Sequence, residues 1–204
     1  MPEIDKYKHL YTEIEFHILQ DSKPSVYLKS IYHKPVFRLY PFSLLRELKK
    51  TEQSPKHHSE GNVWNHTLLV VDEAANVKDK SENKKVFMWA ALLHDLGKPS
   101  TTVNKKGRIT SYKHDKVGEE LSKEFLKIFT KDQDFINQVS QLVRYHMQIL
   151  FVVNDLPFAD VKGMKRHTDI REVALLGLCD RLGRGGRNRR EEEENIKKFL
   201  QKCE

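Results

Sequence analysis

From Asn62 onward the apolar positions of the chain fall at helical spacing. Trp64, Leu68, Val71 and Ala75 recur every three or four residues and predict a helix with one buried face. Lys84–Leu96 follows as a second helix. Its C-terminal half, Val86-Phe-Met-Trp-Ala-Ala-Leu-Leu93, is almost wholly apolar and therefore expected to be buried, with Gly97 and Pro99 ending it. Then the period changes. Thr101–Tyr112 has β-branched residues on two short arms about Lys106-Gly107, which predicts a β-hairpin. Lys113–Phe129 and Asp132–Met147 return to helical spacing as partners, and Phe158–Met164 reads as a short helix or turn. Thr168–Leu182 carries Val173, Leu175, Leu176 and Leu178 and predicts a buried helix capped by Thr168 or Asp169. Gly183, Gly185 and Gly186 open a flexible basic loop. A last helix, Arg190–Cys203, has four acidic residues early, where the helix dipole favours them.

Upstream the pattern is weaker. Residues 1–34 are mixed and amphipathic and are interrupted by Pro24 and Pro35, so they predict a short helical lead-in and then a loop. Residues 35–204 form the expected main domain. Within it Pro41–Leu48 starts a helix, with Ser43 as the candidate N-cap, and Lys49–Gly61 is polar and turn-like. The expected class is all-α with one small hairpin at about residues 101–112. The 204 residues suffice for one ordinary domain.

Composition narrows this only a little. A hydrophobic share of 38% and a mean hydropathy of −0.65 fit a soluble chain. No apolar run approaches the roughly 20 residues that cross a bilayer, and Met1–Lys6 lacks the basic start and apolar stretch of a signal peptide. Cys179 and Cys203 form no Cys-x-x-Cys pair, which fits a reducing cytoplasm and excludes a thiolate zinc knuckle. Cys179 is expected in the core and Cys203 in the tail. The formal charge of +7 suits a polyanionic substrate, and equally suits an ordinary lysine-rich surface.

The chemistry lies in separated histidines and aspartates. His94-Asp95 puts an imidazole and a carboxylate side by side at the end of the apolar run. Neighbouring helix positions diverge by about 100°, so one can face an ion while the other approaches from the side or bridges to a second ion. His66 lies on the preceding helix. Asp180 ends a buried helix, where a carboxylate is costly unless paired. Each alone has a plainer reading: a histidine on an apolar helix is usually a hydrogen-bonded core residue, and an aspartate before a glycine-rich loop is usually a cap. Together they suit a divalent ion bound without thiolate, such as Mn, Ni, Fe, Co, Mg or Zn.

In this order the residues resemble the HD superfamily of metal-dependent phosphohydrolases. His58-Ser59-Glu60-Gly61-Asn62-Val63-Trp64-Asn65-His66-Thr67-Leu68 is similar to a segment of the HD domain in bacterial tRNA nucleotidyltransferases. So are His94-Asp95-Leu96-Gly97-Lys98-Pro99-Ser100-Thr101-Thr102, the hairpin, the helix start at His114, Val143-Arg144-Tyr145-His146, and Asp180-Arg181-Leu182-Gly183-Arg184-Gly185. The likeness runs roughly from Pro41 to Arg187. Ser59 and Asn62 replace the pattern's proline and aspartate, neither of them a metal ligand. The glycine-rich segment and paired aspartates of a nucleotidyltransferase head are not found, so CCA addition is not expected. The resemblance implies an HD-type helical bundle that binds one or two ions through His66, His94, Asp95 and Asp180. It also implies His114 and His146 as ligands of a second ion with Asp95 bridging; their spacing only permits this.

The resemblance further implies hydrolysis of a phosphate ester by metal-activated water. The expected substrates are a nucleotide, a 2′,3′-cyclic phosphate or an RNA end. Lys98 is the first candidate to neutralise charge on the phosphate, followed by Arg144, Arg184 and Arg187. Arg184–Arg190 can instead be a mobile loop paired with Glu191–Glu194. Asp115 is a candidate general acid, or a carboxylate that orients an imidazole. His57, His58 and His167 are expected to face solvent, with His58 near the mouth of the site. The alternative function is a nucleic-acid-binding module that keeps the HD fold without turnover. Expected partners are a phosphorylated small molecule or nucleotide, with RNA as a further candidate and no membrane.

Overall fold

Two helices, rather than a short helix and a loop, occupy the start of the chain. The structure is a computed structural model that describes residues 3–204. Helix α1 spans Glu3–Gln20 and α2 spans Pro24–Ile31. Pro24 does not break a helix but begins one: at the first helical position its missing N–H costs nothing. Leu10, Ile14 and Ile18, four residues apart, are buried along one face of α1. Tyr11 stacks on Trp89 at 4.6 Å and on Phe129 at 4.4 Å. The Trp89 indole N–H donates to Glu15 at 2.9 Å.

Helix α3 (Phe42–Glu47) begins at Phe42, and Ser43 does not cap it; the Ser43 N–H bonds the Leu39 carbonyl instead. Helix α4 (Val63–Val77) is capped by Asn62, whose side chain accepts from the Asn65 N–H at 3.0 Å. Helix α5 (Lys84–Leu93) is capped by Asn83. Every residue of α5 from Val86 to Leu93 is buried, as the unbroken apolar run required. Each large side chain in that run contributes about 1.5–3 kcal/mol by leaving water.

The short helix α6 (Lys98–Thr101) leads into the hairpin β1 (Thr102–Lys105) and β2 (Arg108–Ser111), antiparallel with Thr102 opposite Ser111. Lys106 and Gly107 both have positive φ, 52° and 81°, as a two-residue hairpin turn demands. There follow α7 (His114–Lys127), α8 (Gln133–Tyr145), α9 (Gln148–Val153), α10 (Val161–His167), α11 (Ile170–Leu182) and α12 (Arg189–Cys203).

Helix α5 runs through the middle, against α4, α8, α11 and α1. Helix α7 lies along α8, and α11 lies between α4 and α12. The all-α class with one hairpin is thus the observed one. Two local expectations are corrected and one is sharpened. Helix α9 stands where none was expected. The short helix or turn expected at Phe158–Met164 divides into a turn at Phe158 and a helix that starts at Val161, because Asp160 caps it through the Gly163 N–H at 2.9 Å. Cys203 is buried with Phe199, because α12 packs on α9 and α11. Among the described residues no helix is long and apolar enough to cross a membrane.

Candidate metal centre

Five helices bring their ends or first turns to one buried point. His66 lies in the first turns of α4, His94 is the C-cap of α5, and Asp95 sits in the turn that follows. His114 opens α7, His146 is the C-cap of α8, and Asp180 lies in the last turn of α11. All six are buried. Gly97 lets this convergence happen. A Cβ there would stand 2.1 Å from the His114 carbonyl oxygen and 2.7 Å from the Gly118 nitrogen, so only glycine lets the turn of the doublet lie against α7.

Asp95 is the hub, and its two oxygens face different partners. Oδ2 lies 3.2 Å from His94 Nε2 and 3.8 Å from His66 Nε2. Oδ1 lies 3.6 Å from His114 Nε2 and 3.9 Å from His146 Nε2. Asp180 Oδ1 is 2.9 Å from His66 Nε2. Ligand atoms of His66, His94 and Asp95 fall within ion-binding reach of one another, and so do those of Asp95, His114 and His146. Asp95 is common to both groups.

Three of the rings have their tautomer set by backbone. Nδ1 of His94 meets the Ala91 carbonyl at 2.9 Å, Nδ1 of His114 the Ser111 carbonyl at 2.7 Å, and Nδ1 of His146 the Val143 carbonyl at 2.6 Å. A carbonyl only accepts, so each Nδ1 carries the hydrogen and each neutral ring turns a lone pair inward from Nε2. For His66 the same part is open to Glu60, whose Oε1 lies 3.1 Å from Nδ1, though not aligned for a good hydrogen bond.

These donors fit a divalent cation. His114 Nε2 and His146 Nε2 stand 3.2 Å apart, two lone pairs facing each other with no hydrogen to share. His94 Nε2 is buried without an aligned hydrogen-bond partner among the described residues, and Asp95 Oδ2 has none aligned either, with the Lys98 ammonium beside it at 2.8 Å. Burying such atoms is costly unless a cation takes them.

The charges agree with this. Burial pushes the Asp95 carboxyl up, but His94 and the Lys98 ammonium outweigh it and hold it well below the usual carboxylate range. Burial acts likewise on Asp180, where the Arg184 guanidinium and His66 outweigh it. Burial lowers the His66 ring, but the Asp180 carboxylate bonded to it and the Glu60 carboxylate beside it outweigh burial and raise it. Burial lowers His114, and it takes His146, with the neighbouring rings, down to about 3.

Lys98 joins the centre: its Nζ lies 2.8 Å from Asp95 Oδ2 and donates to Gln53 Oε1 at 2.7 Å. Arg184 donates to Asp180 Oδ2 at 2.8 Å, so it is fixed on the site rather than paired with the acidic start of α12. Arg187 does face that helix, 3.7 Å from Glu192, and Arg189 pairs with Glu73. Arg144 is taken by Asp115 and lies 3.7 Å from Glu119. Asp115 therefore holds a guanidinium, and the partner of the His114 ring is the Ser111 carbonyl instead. His57 and His167 are exposed as expected, whereas His58 is half-buried against His66, with ring centres 5.1 Å apart.

Two residues of the centre were not singled out from sequence. Glu60 Oε1 accepts from His58 Nδ1 at 2.7 Å while facing His66, and its other oxygen accepts from the Gly185 N–H at 3.3 Å. It thereby ties the segment before α4 to the loop after α11. Gln53 holds Lys98. Both lie in a polar stretch without periodicity, and only the quoted motif around Glu60 marked either of them.

A family model for the HD domain matches residues 63–185, more than half of the chain and every one of the six converging residues. The chain belongs to the HD domain family. HD domains make up a superfamily of metal-dependent phosphohydrolases, and the His/Asp cluster of this one can hold a divalent metal. It is 36% identical over 97 residues to the Multifunctional CCA protein of Actinobacillus pleuropneumoniae serotype 5b, covering 46% of this chain and 22% of that protein. With the Multifunctional CCA protein of Methylococcus capsulatus it shares 26% identity over 192 residues, 91% of this chain and 38% of the relative. The A-adding tRNA nucleotidyltransferase of Deinococcus radiodurans is 30% identical over 105 residues, 50% of this chain and 23% of the relative. The HD chain thus spans less than half the length of these relatives.

Proposed function

We propose that this HD domain hydrolyses phosphate esters of a nucleotide, a 2′,3′-cyclic phosphate or an RNA end, with one or two divalent ions at the Asp95 centre. The observation that carries the reading is the split of Asp95. One carboxylate oxygen faces His66 and His94, and the other faces His114 and His146. His66, His94, Asp95 and Asp180 would hold one ion; His114 and His146, with the far oxygen of Asp95, would hold a second. A divalent ion there supplies the Lewis acid that makes water nucleophilic near neutral pH.

The chain's own residues do the rest. Backbone carbonyls fix three imidazole lone pairs inward before any ligand arrives, so little reorganisation is needed on binding. Lys98 is held between Asp95 and Gln53, beside the point where the ester phosphate would sit, and offers it positive charge. Arg184 braces Asp180 and has a second nitrogen, Nε, buried and unpartnered, which suits a phosphate oxygen. Arg144 is committed to Asp115 and Glu119, so we assign that pair to holding α7 against α8. The relatives' names refer to tRNA and to CCA, which favours an RNA end or its nucleotides within the phosphate-ester class.

The test is turnover of bis-p-nitrophenyl phosphate, 2′,3′-cyclic nucleotides and mononucleotides with added Mn, Ni, Co, Mg or Zn. The expected result is metal-dependent hydrolysis of at least one of them, abolished in His94→Ala and Asp95→Ala. Nucleic-acid binding that survives both substitutions, without turnover of any substrate, would establish a binding module instead.

A further inference from the structure

Gln53 is buried, 7% exposed, in the segment that precedes α4. Its backbone surroundings are fixed: Glu52 forms a β-bridge with Asn62, and the Val63 N–H donates to the Thr51 carbonyl at 3.0 Å. The carboxamide has only one orientation open to it. Lys98 Nζ, 2.7 Å away, is a donor and nothing else, so the atom facing it must be the oxygen. The NH2 group is therefore turned elsewhere, and it is buried without a hydrogen-bond partner among the described residues. A buried donor left unpaired destabilises a fold.

The same Lys98 ammonium that anchors Gln53 lies 2.8 Å from Asp95 Oδ2. The unpaired amide is thus one side chain removed from the metal centre, beside a cation. An acceptor drawn there is anionic and rich in oxygen lone pairs. We propose that Gln53 donates its Nε2 hydrogens to a non-bridging oxygen of the substrate phosphate, as a contact separate from that of Lys98. This rests on the phosphohydrolase reading given above. It adds a substrate-contacting residue outside the histidine–aspartate set, and it gives the unpaired NH2 group an acceptor.

The experiment uses inorganic phosphate as the probe, titrated calorimetrically into the full chain loaded with the divalent ion that supports turnover. Gln53→Met keeps the bulk and removes the donor; Gln53→Glu keeps an oxygen for Lys98 and replaces the donor with a charge. Phosphate affinity is expected to fall about tenfold in Gln53→Met and further in Gln53→Glu. Gln53→Met also takes the Oε1 acceptor from the buried Lys98 ammonium, so its melting temperature is expected to fall, and phosphate affinity is compared at a temperature where every variant is folded. Lys98→Met supplies the decisive background. A direct contact predicts that adding Gln53→Met to Lys98→Met still weakens phosphate binding about tenfold. If the second substitution has no effect there, Gln53 acts only through Lys98 and the inference is overturned. It is overturned equally if Gln53→Met and Gln53→Glu both bind phosphate like the wild type while the wild type turns over ester. A wild type that neither binds phosphate nor hydrolyses ester overturns the underlying reading first, and this contact with it.

Discussion

His114 Nε2 and His146 Nε2 face each other at 3.2 Å, and both rings have already given their Nδ1 hydrogens to backbone carbonyls. Two buried lone pairs at that distance repel unless a cation lies between or beside them. Metal-free protein is therefore expected to carry this repulsion as lost stability. An ion supplied at 100 times its dissociation constant stabilises the native state by about 2.7 kcal/mol. For a chain of this length that raises the melting temperature by about 5–10 °C. Thermal denaturation with and without chelator measures the rise, and His146→Ala should remove part of it. Equal melting temperatures in chelator and in excess metal would contradict this.

The His146 ring is lowered to about 3, first by burial and then by the neighbouring His114 and His94. In the unfolded chain it titrates near 6.5. Between those values the unfolded state takes up a proton that the folded state refuses, so the ring subtracts stability as pH falls below 6.5. Between pH 7 and pH 5 the loss is about 2 kcal/mol. Denaturant unfolding of the metal-free protein at the two pH values should show a smaller difference in His146→Gln than in the wild type. A nuclear magnetic resonance titration that found His146 protonating near 6.5 in the folded protein would refute the burial argument.

Glu60 faces His66 Nδ1 at 3.1 Å, on the side of the ring away from Asp95 and Asp180. A carboxylate there strengthens the ring as a ligand and holds its orientation. Glu60→Gln keeps the shape and removes the charge. Metal affinity, measured by calorimetry, should fall by about tenfold or more, and His58, which shares the same oxygen at 2.7 Å, should lose order with it. Unchanged affinity would mean that Asp180 alone positions His66.

Gly97→Ala probes the geometry that joins the two halves of the site. The added methyl meets backbone atoms of His114 and Gly118, which cannot turn aside as a flexible side chain would. A cost of about 1–3 kcal/mol is expected, with α7 shifted away from the doublet. Binding of the ion that needs His114 should weaken more than binding of the ion held by His66 and His94. A variant with wild-type stability and metal affinity would show that the turn has room to spare.

The parts of this molecule legible in its sequence are those with strong periodicity. The all-apolar run to Leu93 marked α5 as central, and the doublet at its end marked the point where the candidate metal ligands converge. His66 and Asp180 were readable because an apolar helix carries each of them. The N-terminal helices were under-read because Pro24 looks like a break, whereas proline at a first helical position is a start. The four-residue spacing of Leu10, Ile14 and Ile18 was present but offset by the charges between them. Gln53 and Glu60 could not be read from periodicity, because their segment has none. Their placement comes from long-range packing, through the bridge to Asn62 and the contact with the loop at Gly185. Asp115 stands beside His114 in sequence, but adjacent positions on a helix point apart, and its partner proved to be Arg144 on α8.

The most direct measurement is the metal content of the purified chain, by elemental analysis, beside its hydrolysis of bis-p-nitrophenyl phosphate, for the wild type and Asp95→Ala. We expect one to two equivalents of divalent ion and metal-dependent turnover in the wild type, and loss of both when the shared carboxylate is removed. A wild type that binds no divalent ion at any supplied concentration, or an Asp95→Ala protein with undiminished turnover, would contradict the assignment of the centre.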